Sequence, residues 1–121
     1  MIKIFILLTF LAISCQTKEN TMLLNSLFSD GMVLQQKEKV AFWGTSKPNQ
    51  KVEVIGSWGT KSETTSDNDG EWVLYLDTPK AGGPFNIIVS SVRETVTISD
   101  VLIGEVWLAA GQSNMEMTFS Y

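Results

Sequence analysis

Between Met22 and Ser99 apolar and polar positions alternate with a period of two, and turn-forming residues interrupt them roughly every eight to twelve positions. Residues 23–28 open the series, and Ser29-Asp30-Gly31 turns the chain into Met32-Val33-Leu34. Residues 39–43 put Val40 and Phe42 on one face. Lys47-Pro48-Asn49-Gln50 is loop chemistry, because proline fixes φ and asparagine accepts turn geometry. Residues 51–55 form the next strand, 56–59 a bend flanked by glycines, and the threonine-rich run 60–66 an edge strand. Asp67-Asn68-Asp69-Gly70 is the clearest hairpin signal. Beyond it Trp72, Leu74 and Leu76 share a face. Phe85, Ile87 and Val89 do so after the Gly/Pro loop at 79–84, and Val96 and Ile98 after them. No stretch carries a 3.6-residue period and no repeat appears, so the pattern predicts an all-β sandwich or barrel over residues 22–100.

At Asp100 the pattern changes. Residues 101–110 are almost continuously apolar, as in a parallel-sheet strand buried on both faces. Gly111-Gln112-Ser113-Asn114-Met115-Glu116-Met117 follows. A serine beside glycine and small polar groups, just past such a strand, is a candidate nucleophile on a strand-to-helix turn. The helix there lends N–H donors and the positive end of its dipole to an oxyanion. Ser113 with Glu116 three residues on also spells a capping box. The readings are compatible, since the backbone can be capped while the hydroxyl faces a pocket.

The first residues read as an address. Met1-Ile2-Lys3 is a cationic start, and residues 4–13 are apolar except for Thr9. That run is too short for a membrane helix, which needs roughly 20 apolar residues, and it fits a signal peptide over residues 1–14. Leu11-Ala12-Ile13-Ser14-Cys15 resembles a bacterial lipobox, in which Cys15 receives a diacylglycerol thioether and becomes the mature N-terminus. Ala12 and Ser14 also suit an ordinary signal peptidase cutting before the same cysteine. A lone thiol in an exported protein is a liability, which favours lipidation. Residues 15–21 are then a polar tether. The expected partner is a membrane, held through Cys15, and the expected location is the cell envelope, as an exported outer-membrane or periplasmic lipoprotein.

Composition narrows the chemistry. The 121 residues hold 9 Lys and Arg against 13 Asp and Glu, for a formal net charge of −4, and 44% are hydrophobic. That excludes intrinsic disorder and argues against a nucleic-acid partner. There is one cysteine and no histidine, which removes a structural zinc site and the usual general base for a serine nucleophile. No cofactor and no metal are expected. Lys80, the lysine nearest Ser113 in sequence, sits in the 79–84 loop, and Glu105 and Glu116 are stronger acids than a useful base. Asp67-Asn68-Asp69-Gly70 begins like a calcium loop but lacks the later ligands, so it reads as a turn. Trp72 alternates with Leu74 and reads as core, whereas Trp58, between two glycines, is the tryptophan left open for ligand contact.

Gly104-Glu105-Val106-Trp107-Leu108 followed by Gly111-Gln112-Ser113-Asn114-Met115-Glu116-Met117 closely resembles the first sequence block of bacterial sialate O-acetylesterases, which are SGNH-type esterases. Phe28-Ser29-Asp30-Gly31-Met32-Val33-Leu34-Gln35, Val40-Ala41-Phe42-Trp43-Gly44, Asp69-Gly70-Glu71-Trp72 and Ala81-Gly82-Gly83-Pro84-Phe85 are similar to that family's N-terminal β-domain. The resemblance covers nearly all of residues 25–117. Ala109-Ala110 departs from it, standing where many relatives carry Cys and Ser.

The fold class this implies is mainly β. A β-sandwich of jelly-roll or Ig-like kind fills residues 22–100, and residues 101–121 are the first strand and nucleophile turn of a truncated α/β SGNH-hydrolase domain. By the same resemblance Ser113 is the nucleophile of an acetyl-ester hydrolase acting on O-acetylated sialic acids, and its backbone N–H is one oxyanion donor. The family's other donors, a Gly and an Asn, and its Asp and His come from later blocks that these residues do not contain. The chain alone is therefore expected to be inactive. Two other readings stay open: a lipid-anchored carbohydrate-binding or scaffold β-module, and a xylan acetylesterase fragment sharing the Gly-Gln-Ser-Asn-Met turn. If residues 101–110 are an uncovered apolar strand, residues 22–99 should be more soluble alone than residues 22–121.

Overall fold

A computed structural model describes residues 22–111. Its strands are β1 Leu23–Leu24, β2 Val33–Gln35, β3 Lys39–Thr45, β4 Lys51–Gly56, β5 Lys61–Thr65, β6 Glu71–Asp77, β7 Gly82–Ser91 and β8 Thr95–Gly104. The fold is mainly β, and no helix occurs among the described residues. One sheet has the order β1-β3-β6 and the other β2-β8-β7-β4-β5. Every pairing is antiparallel except β2 with β8.

Alternation puts one face of each sheet into a shared core. In β6, Trp72, Leu74 and Leu76 are buried while the residues between them are exposed. Phe42 joins them from β3, and Val52, Val54, Ile87, Val89, Ile98, Val101 and Ile103 meet them from the other sheet. Each such side chain, fully buried, contributes about 1.5–3 kcal/mol relative to exposure. Val52, Val54, Phe42, Ile87, Val89 and Val101 are 0% exposed and mark the centre of this core.

The two sheets are tied by a buried threonine. The Thr78 hydroxyl, just past β6, donates to the Gln35 carbonyl at 2.6 Å and accepts from the Glu38 N–H at 3.1 Å. It thereby joins the end of one sheet's β6 to the end of the other sheet's β2. Ser66 does similar work beside β5, donating to the Lys47 carbonyl at 2.6 Å and accepting from the Gln50 N–H at 3.0 Å.

Three expectations need correction. The opening strand is β1, two residues long rather than 23–28. Asn25 ends it, because its Oδ1 accepts from the Leu27 N–H and its carbonyl accepts from the Phe28 N–H, closing a turn. Asp67-Asn68-Asp69-Gly70 is a turn but not a hairpin. β5 pairs with β4 and β6 with β3, so the turn carries the chain from one sheet to the other. Asp67 Oδ1 accepts from the N–H groups of Asp69 and Glu71, at 2.9 and 2.8 Å.

The third correction concerns residues 101–110, which do not form a strand of their own. Residues 101–104 continue β8, with Val101 and Ile103 in the β-domain core, and no strand is assigned to residues 105–111. A bulge makes β8 look like two strands in the sequence. Ile87 pairs with Ile98 but Phe85 pairs with Val101, so β8 spends one extra residue there. Asp100 absorbs it at φ 56°, a left-handed conformation that aspartate tolerates. The inward parity shifts from Ile98 to Val101, and outward-facing Leu102 makes the remainder read as continuously apolar.

Candidate functional site

Ser113 and Cys15 both lie outside the described residues, as do the helix cap at Glu116 and the tether. What is described is the segment that leads to Ser113. Beyond β8 the chain is held by two side-chain amides at the end of β2. Gln35 Nε2 donates to Glu105 Oε2 at 3.0 Å, and Gln36 Nε2 donates to Glu105 Oε1 at 2.5 Å. Gln35 Oε1 accepts from the Val106 N–H at 2.8 Å, and the Gln36 N–H donates to the Gly104 carbonyl at 2.8 Å. Gln36 Oε1 also accepts from the Ala81 N–H at 2.9 Å, tying the clamp to the loop before β7.

The parallel register explains why these residues meet. Val33 lies beside Leu102, Leu34 beside Ile103 and Gln35 beside Gly104, so the residues that follow both strands leave the sheet together. Donation by Gln35, and then by Gln36, favours the charged form of Glu105 and holds its carboxyl below the usual range. Glu105 therefore serves as a clamp and is still less suited to act as a base. Sequence reasoning named Gln35 only within a motif and missed this role. The partners stand about 70 residues apart in the chain, and no local pattern marks them.

Past the clamp, Val106, Trp107 and Leu108 are exposed, the last two at 86% and 93%. Among the described residues no trio of His, Cys, Asp or Glu side chains is grouped to hold a metal.

The tryptophans separate cleanly. Trp58, left open for a ligand, is a packing residue. Its Nε1 donates to the Asp77 carbonyl at 3.0 Å and its ring meets Phe85 edge-to-face at 5.4 Å. It covers Gly56, where a Cβ would come within 2.4 Å of the indole. Trp72 is core, as the alternation predicts. Trp43 faces outward from β3 and is 37% exposed, with Phe28 set edge-on against it at 4.7 Å. Beside it opens a cleft of about 790 Å³, bordered by β1, the paired ends of β3 and β6, and the end of β5. Gly44 shapes this corner. A Cβ there would lie 2.2 Å from the Leu23 carbonyl oxygen and 2.9 Å from the Trp72 ring, so only glycine lets β1 close on β3.

No protein-family model matches the chain. The sialate O-acetylesterases of Homo sapiens and Pongo abelii are each 36% identical to it over 103 residues, covering 77% of this chain. That of Mus musculus is 35% identical over 105 residues, covering 78%. The crystal structure of a carbohydrate acetylesterase from Xanthomonas citri superposes with a TM-score of 0.71 and 38% identity over 79% of this chain. The chain resembles acetylesterases. It spans about one fifth of the length of the curated relatives it matches, 20% for the human protein, and 22% of the solved chain.

Proposed function

We propose that these residues are the N-terminal part of a secreted acetyl-ester hydrolase whose substrates are O-acetylated sialic acids. The observation that carries this reading is the 36% identity over 103 residues to proteins named sialate O-acetylesterase. The described residues form its β-domain, a two-sheet sandwich of jelly-roll or Ig-like kind. An SGNH-type hydrolase domain begins beyond Gly104, after the strand that the β-domain keeps. The anchor is Cys15, lipidated at the cell envelope after residues 1–14 are removed.

In the proposed reaction the Ser113 hydroxyl oxygen attacks the acetyl carbonyl carbon, and its proton passes to a base. The Ser113 N–H donates to the oxyanion that forms. The sugar hydroxyl leaves with the proton, and acetyl remains on Ser113. Water then attacks that ester, releasing acetate and restoring the hydroxyl. The 121 residues hold no histidine, so the base that activates Ser113 comes from beyond them, and the segment alone is inactive. The clamp of Gln35 and Gln36 on Glu105 and Val106 fixes the β-domain end of the segment that carries Ser113, seven residues before it.

The test is acetate release from O-acetylated sialic acid by the protein its gene encodes, with Ser113 and with Ser113→Ala. The expected loss is about 10³-fold or more in kcat. Unchanged turnover in the variant overturns the assignment of Ser113. Faster turnover of an acetylated xylan than of the sialic acid overturns the assignment of substrate.

A further inference from the structure

We infer that the cleft beside Trp43 is a binding site for a neutral pyranose ring. Trp43 supplies an exposed, immobilised aromatic surface. Phe28 braces its indole edge-on at 4.7 Å and itself stacks on core residue Phe42 at 4.9 Å. The C–H face of a pyranose is apolar and its rim is a ring of hydroxyls. An aromatic wall with polar groups around it therefore matches both parts of a sugar. The wall here is Trp43, and Asn25 and Thr64 stand around the same cleft. Its volume of about 790 Å³ accommodates a disaccharide-sized ligand within the usual range for small-molecule sites.

Trp72 also borders the cleft, but it is a core residue at 4% exposure, so the aromatic ring open to a ligand is that of Trp43. The charge at the lip selects the sugar. Asp67 and Glu71 are both exposed at the cleft, and the chain as a whole carries −4. An anionic sugar would bring its carboxylate against two like charges, whereas a neutral hexose brings only hydroxyls that carboxylates accept. Resting on the proposed reaction, the inference gives this cleft a different part of a glycan from the acetylated acidic sugar.

The probe is a titration of the whole chain with the methyl glycosides of glucose and galactose, and with the methyl glycoside of sialic acid as the anionic arm. Tryptophan fluorescence and amide shifts in NMR spectra are read together. The expected result is a saturable response to a neutral glycoside, with shifts grouped on Trp43, Thr64 and Glu71. Affinity falls at least about tenfold in Trp43→Ala and is retained in Trp58→Phe. Glu71→Lys, on an exposed residue, raises affinity for the sialic acid glycoside. No saturable response to either neutral glycoside, or equal affinity in Trp43→Ala, overturns the inference. So does tighter binding of the anionic glycoside to the unaltered chain. The esterase reading fails separately, because Ser113→Ala leaves this titration unchanged and Trp43→Ala, placed in the chain joined to the remaining length of a sialate O-acetylesterase, leaves hydrolysis of a small aryl acetate unchanged.

Discussion

Ending the chain after Ser99 removes the second half of β8, and the structure sets the size of the damage. Val101 and Ile103 are lost from the core, where they are 0% and 3% exposed. At about 1.5–3 kcal/mol each, that is about 3–6 kcal/mol. β2 also loses its parallel partner, since Val33, Leu34 and Gln35 pair only with Leu102, Ile103 and Gly104. A domain of this size has about 0.05–0.15 kcal/mol of stability per residue, or about 4–13 kcal/mol in total. The deletion therefore takes a large share of it. Residues 22–99 should unfold at a much lower urea concentration than residues 22–105, and should be the less soluble of the two. This reverses the expectation drawn from the apolar run at 101–110, which treated those residues as an uncovered strand of another domain. Equal urea midpoints with equal slopes would refute the assignment of Val101 and Ile103 to this core.

Other outcomes follow from single contacts. Thr78→Val keeps the side-chain shape but leaves the Glu38 N–H and the Gln35 carbonyl unpaired, and should cost about 1–3 kcal/mol in denaturant unfolding. Gly44→Ala drives a Cβ into the Leu23 carbonyl and the Trp72 ring, and should cost about 1–3 kcal/mol while freeing the Leu23 and Leu24 amides to exchange. Glu105 has a lowered pKa in the fold, so its clamp is intact above the ordinary glutamate range and is lost as pH falls through the folded-state value. Its carboxyl resonance should titrate below that of a free glutamate, and Gln35→Ala with Gln36→Ala should return it to the ordinary range. A Glu105 midpoint that ignores both substitutions would show that the clamp does not form.

Much of the β-domain was legible because its strands obey a period of two. Trp72, Leu74 and Leu76 alternate with polar or exposed neighbours, and so do Ile87 and Val89, so their inward face could be read directly. The losses have physical causes. Asp67-Asn68-Asp69-Gly70 forms the same hydrogen-bonded turn whether or not its flanking strands pair, so the local signal carries no information on topology. The bulge at Asp100 hid the continuity of β8 by shifting its parity. At the site, the Gly-Gln-Ser-Asn-Met run is contiguous and therefore visible. The clamp of Gln35 and Gln36 on Glu105 depends on a parallel pairing of distant segments, which nothing local announces. Trp58 looked free between its glycines, but one of those glycines is the floor on which its ring lies.

The measurement that bears most directly on the account is acetate release from O-acetylated sialic acid by two polypeptides. One is the 121-residue chain alone, and the other is the same chain joined to the remaining length of a sialate O-acetylesterase. No turnover is expected from the first, and turnover that Ser113→Ala abolishes is expected from the second. Turnover by the isolated chain, or a joined protein indifferent to Ser113→Ala, would contradict it.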